Sequence, residues 1–168
     1  MTFLSTLSAT FIGVLGALGV QEYIMRKGLR LKKKEERERK KYILEIVKGE
    51  IEHNIKLLEQ IHDEYQKSTW SGYYNLDTTS KQATWSDLIK IEESAKFIYD
   101  LSRTYYEYEH MNRKLDLQLR LVSDANIHPT VADFRRTVVR SIVVHTTSLI
   151  SGSKDRLKEI EEKLNSFS

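Results

Sequence analysis

Residues 43–65 read ILEIVKGEIEHNIKLLEQIHDEY, and the spacing of apolar side chains along them decides the fold. Leu44, Val47, Ile51, Asn54, Leu58, Ile61 and Tyr65 step by three and four without a break. Side chains three and four apart share a helix face, so these residues form one stripe on an α-helix. A second stripe follows downstream: Ile98, Leu101, Tyr105, Tyr108, Asn112, Leu115, Leu119 and Val122. Both read as heptad seams of three turns or more that bury against partner helices.

The breakers around these seams divide the rest of the chain. Ser68 to Asn75 with Asp77 to Ser80 reads as a loop, and Ser123 to Pro129 as a turn whose proline stands near the start of the next helix. A short helix is expected from about Ser80 to Lys90, with Trp85 and Leu88 inward. A last long helix is expected from Thr130 to about Asn165. There Val131, Phe134, Val138, Ile142, His145, Leu149, Leu157, Ile160 and Leu164 mark one face. The β-branched run from Thr137 to Thr147 would suit a strand by propensity, but its length and i, i+4 spacing favour helix.

Upstream of the first seam the chain changes character. Residues 26–41 hold ten basic side chains and three acidic ones, net +7. Residues 42–168 hold 17 bases and 20 acids, so the overall +3 conceals a basic segment joined to a mildly acidic domain. Before the basic run, Thr2 to Val20 carries no charge, and 19 residues at ~1.5 Å each would span about 28 Å, close to a ~30 Å hydrocarbon core. The expected organisation is therefore a transmembrane anchor at 1–25, a basic juxtamembrane helical segment at 26–41 and a cytoplasmic helical bundle at 42–168. The positive-inside rule puts the N-terminus outside and the bundle in the cytoplasm at the cell membrane. Ser5, Ala9, Gly13, Gly16 and Ala17 would form a strip of small residues against other membrane helices, from a second copy or a larger complex. Arg26, Lys27, Arg30, Lys32, Lys33 and Lys34 would meet anionic lipid headgroups, at ~1 kcal/mol per basic residue. The run lacks interleaved aromatic residues, so no nucleic-acid partner is expected.

Catalytic signatures are missing from the sequence. With no cysteine, thiolate metal sites, disulfides and cysteine nucleophiles are excluded. No Gly-rich phosphate loop or nucleophile elbow occurs. Three Glu-x-x-His spacings are present: Glu50/His53, Glu59/His62 and Glu107/His110. Two such pairs with two further glutamates build di-metal sites inside helical bundles. Heptad phase argues against that here, because His53, Glu59 and Glu107 fall at outer positions and His110 at the outermost, so no metal or cofactor is expected. His145 is set apart by lying on the apolar face of the last helix, where a histidine satisfied within the core is the commoner case.

Asn54 and Asn112 are the most specific polar features. An amide inside a seam lowers stability but fixes register. With the two seams antiparallel, both amides come to similar heights, and they are expected to be buried and hydrogen-bonded to each other.

The pattern Glu50-Ile51-x-x-Asn54, then Thr84-Trp85, then Tyr105 with Asn112 seven residues on resembles one found in small, uncharacterised prokaryotic proteins. These combine an N-terminal membrane helix with a cytoplasmic helical domain. The resemblance covers roughly residues 42–120 and implies architecture, not a reaction. The fold class expected is all-α: a single N-terminal transmembrane helix followed by a long-helix antiparallel bundle of three long helices and one short. The function expected is a non-enzymatic interaction or assembly module, an accessory subunit of a membrane complex or a homo-oligomer. The alternatives are a metal-binding bundle using the Glu-x-x-His pairs and an oligomerising membrane effector of the defence or toxin type.

Overall fold

Among the described residues, four helices account for the architecture of the computed structural model: α1 (Thr2–Gln66), α2 (Thr79–Ile91), α3 (Ala95–Asp124) and α4 (Pro129–Asn165). The structure describes residues 2–67, 73–92, 94–124 and 129–167, with side chains from residue 20 onward except those of 123, 124, 129 and 130. The chain divides into two compact units, Met1–Arg39 and Lys40–Ser168.

The second unit is the bundle. All seven residues of the first seam are buried, from Leu44 to Tyr65. On α3 the buried set includes Leu101, Tyr105, Tyr108 and Leu115, with Phe97, Met111 and Gln118 buried beside them. On α4, Val138, Ile142, Leu149 and Ile160 close the core, together with the hydroxyls of Thr146 and Ser153. The β-branched run of α4 is helical. Its hydroxyls find backbone partners on the preceding turn, Thr146 and Thr147 both donating to the carbonyl of Val143 at 2.8 and 3.1 Å.

Pairs between helices give the directions. Lys48 meets Glu161 and Lys154 meets Glu59, so α1 and α4 are antiparallel. Arg156 meets Asp100 and Lys114 meets Ser141, so α3 and α4 are antiparallel as well. The two seam helices α1 and α3 therefore run parallel, and the expected antiparallel pairing of these two is corrected. The short α2 supplies the reversal between them. Its Ser80 lies at Glu50 and its following residue, Glu92, at Lys40. The bundle is up-down-up-down, antiparallel between successive helices.

Side chains from elsewhere satisfy the helix ends. The first amides of α2 are taken by carboxylates, Thr79 N–H by Asp77 Oδ1 at 2.8 Å and Ser80 N–H by Glu50 Oε2 at 2.6 Å. Negative charge is favourable at that positive end of the helix dipole. The hydroxyl and amide of Thr79 hold Asp77 below the ordinary carboxylate range. Ser94 Oγ accepts from Phe97 N–H at 3.2 Å and caps α3.

The transmembrane helix in the expected fold class is overturned. Among the described residues no helix is long and apolar enough to cross a membrane. The described side chains of the first unit, residues 20–39, are all exposed, and those of residues 2–19, where the anchor is expected, lie outside the described side chains. Ser5, Ala9, Gly13, Gly16 and Ala17 lie outside the described side chains.

Candidate functional site

The connection into α2 is held by the two amides picked out in the sequence. Asn54, fully buried on α1, donates to the carbonyl of Asp77 at 2.7 Å and accepts from its N–H at 2.8 Å. Asn112, half-buried on α3, accepts from Leu76 N–H at 2.7 Å and donates to the Leu76 carbonyl at 2.9 Å. Each amide thus makes the paired bonds that a β-strand neighbour would make. Their partner is the loop backbone, not each other, which corrects the expected direct contact. The matched heights have a different origin, since both amides reach adjacent residues of one connection.

A buried polar chain continues below the clamp. Ser80 Oγ and Tyr105 Oη share a hydrogen bond of 2.5 Å, and Tyr108 Oη donates to Ser153 Oγ at 2.8 Å. The Tyr105 ring packs edge-to-face on both Trp85 and Tyr108, with centroids 6.4 and 6.0 Å away. Burial raises both phenols, Tyr108 to about 12. Among the described residues Glu50 Oε1 is buried without a hydrogen-bond partner. Glu50, Asn54, Ser80, Tyr105 and Asn112 thus converge around the entry to α2. The hydrogen bonds and ring contacts of this cluster hold α1, α2 and α3 in register.

Chemistry accessible from solvent lies on the other flank of α3. Glu107 and His110 of α3 meet His145 of α4, and one ligand atom from each lies within 4.8 Å of the other two. His145 Nε2 is 2.8 Å from Glu107 Oε2, and His110 Nδ1 is 4.0 Å from the same oxygen. The two imidazole rings are 5.3 Å apart. Lys114 Nζ donates to His145 Nδ1 at 3.2 Å and to Ser141 Oγ at 3.0 Å. An ammonium has no lone pair, so Nδ1 must accept, and the neutral ring carries its proton on Nε2, aimed at Glu107. Burial lowers the His145 pKa, opposed by the Glu107 hydrogen bond and reinforced by the charge of Lys114. Glu107 and His145 border a cleft of about 260 Å³ between α3 and α4, lined also by Asp100, Thr104, Ser148 and Gly152, and all three residues of the cluster border a second of about 710 Å³.

This convergence went unseen in the heptad phase because α3 packs on two sides. Phe97, Thr104, Met111 and Gln118 recur every seven residues and are all buried, forming a second stripe next to the first. Positions that are outer for one seam become the rim of the other, where Glu107 and His110 stand. The signal was present, but half of that stripe is polar and escapes an apolar count. The phase reading does describe His53, which is exposed, while the half-buried His62 lies 3.2 Å from Thr146 on α4.

The basic residues Arg26, Lys27, Arg30, Lys32, Lys33 and Lys34 are all exposed on α1 within the first unit. Exposed apolar side chains, Val20, Tyr23, Ile24 and Met25, immediately precede them. No protein family, curated protein or solved structure matches this chain.

Proposed function

We propose that the protein is an interaction and assembly module held at an anionic membrane surface by the basic segment of α1. The observation that carries the reading is the exposure of every described side chain over residues 20–39, with apolar residues leading and bases following. Exposed Val20, Tyr23, Ile24 and Met25 reach the headgroup boundary while the lysines and arginines meet lipid phosphates. The bundle then serves as the part that partners recognise. Exposed Ile89, Tyr99, Tyr106 and Val144 on its helices support that role.

Co-sedimentation with vesicles tests the attachment. The full chain should bind phosphatidylglycerol-containing vesicles, release as salt rises, and bind pure phosphatidylcholine weakly. Neutralising Lys32, Lys33 and Lys34 to Gln together should weaken binding on the order of 100-fold. Equal binding to neutral and anionic vesicles, unaffected by the triple substitution, would refute it.

A further inference from the structure

We infer that Glu107, His110 and His145 form a binding site for a divalent transition-metal ion, zinc by preference, that staples α3 to α4. This is independent of the membrane-surface reading and uses none of the α1 basic residues.

The donor set is the first argument. Two imidazoles and one carboxylate make an N₂O site, a combination that suits zinc and leaves a fourth position for water. Geometry is the second. Ligands ~2.0–2.1 Å from a tetrahedral zinc lie about 3.3–3.4 Å from each other. The His145–Glu107 separation of 2.8 Å falls just below that value, and the His110–Glu107 separation of 4.0 Å somewhat above it. The whole set lies within 4.8 Å, so side-chain rotation suffices to close it. Solvent access is the third. The side chains of His145, Glu107 and His110 are 16%, 32% and 45% exposed, which leaves an entry path while fixing the inner ligand. Glu107, His110 and His145 all line one solvent-accessible cleft between α3 and α4, which gives an ion and its water room to enter.

Lys114 makes the site conditional. Its ammonium donates to Nδ1 of His145 and so keeps the ring proton on Nε2, the atom the metal needs. Metal capture moves that proton to Nδ1 and turns Nδ1 into a donor. Lys114 then loses its bond to His145 and keeps the one to Ser141. The lysine therefore competes with the ion through charge and through tautomer, and removing it should strengthen binding.

Calorimetric titration of the chelator-stripped full chain with Zn²⁺, and with Co²⁺ followed by its d–d absorption, tests the assignment. We expect one ion per chain, a raised thermal midpoint with Zn²⁺, and no comparable binding of Mg²⁺ or Ca²⁺. His110→Ala, His145→Ala and Glu107→Gln should each weaken Zn²⁺ binding about tenfold or more. Lys114→Met should tighten it several-fold, a gain that misfolding cannot produce. The proposal is overturned if Zn²⁺ fails to bind in the micromolar range. It is equally overturned if one-to-one binding survives in the His110→Ala/His145→Ala double variant, or if Lys114→Met weakens binding while circular dichroism shows an intact bundle.

Discussion

Replacing Asn54 or Asn112 with leucine should reveal how much of the bundle depends on its first connection. Each amide makes two hydrogen bonds to one residue of the loop, at 2.7 and 2.8 Å for Asn54 and at 2.7 and 2.9 Å for Asn112. A net ~1 kcal/mol per bond gives about 2 kcal/mol for either loss. Asn54 is fully buried and should cost more, about 2–3 kcal/mol, because the Asp77 backbone groups lose partners that water replaces only in part. Asn112 is half-buried, so water recovers more of the loss, and about 1–2 kcal/mol is expected. Their partners, Leu76 and Asp77, are consecutive, so a loop freed from one amide gains little from the other. The double variant should therefore cost less than the sum, with about 0.5–2 kcal/mol of coupling carried by the backbone between them. Urea unfolding of the four proteins at constant m-value measures this. Hydrogen exchange at the Leu76 and Asp77 amides reports the loop directly, each accelerating first in the variant of its own partner. Additive costs within a few tenths of a kcal/mol, or unchanged exchange at both amides, would refute the clamp.

Glu92 gives a pH prediction. Burial works to raise its carboxyl, but the Ser94 N–H, Lys163 and Lys40 more than offset this and hold it below the ordinary range. A carboxylate depressed on folding adds stability above its unfolded pKa, near 4.5, and loses it as pH falls through the folded value. Glu92→Gln should therefore destabilise at pH 7, with the gap to the native chain narrowing below about pH 4.5. Thermal unfolding across that range tests it. Tyr108→Phe leaves the fully buried Ser153 hydroxyl without its 2.8 Å donor and should cost about 1–2 kcal/mol. Adding Ser153→Ala should return part of that loss, as judged by urea midpoints. Gly152→Ala, whose new methyl meets nothing within 4 Å on the exposed face of α4, should stabilise by about 0.5–1 kcal/mol through helix propensity.

The parts of the bundle legible in sequence are those where a single apolar period decides burial. The α1 seam is one, since every member from Leu44 to Tyr65 is buried. On α3 the same reasoning found Tyr105, Tyr108 and Leu115 but missed Phe97, Met111 and Gln118, because a helix packed on two sides has two overlapping stripes. On α4 the buried Thr146 and Ser153 escaped a pattern that counts hydrocarbon alone, and Phe134, expected inside, is 52% exposed. Asn54 and Asn112 stood out as polar interruptions of a seam. Their partners did not, because loop backbone carries no side-chain signal. The Glu107–His110 spacing was visible, yet its meeting with His145 depends on which flank of α3 receives α4, a tertiary choice that local spacing does not encode.

Glu92 binds Lys40 through one oxygen and Lys163 through the other, each at 3.0 Å. Those lysines stand at the first residues of the bundle and in the last turn of its last helix. One carboxylate thus joins the start of the bundle to the last turn of α4, and the two lie side by side at the same pole. A fold whose ends meet can be spliced into a loop of another protein, or reconnected and reopened elsewhere, without crossing its own interior. The bundle has the geometry of a cassette.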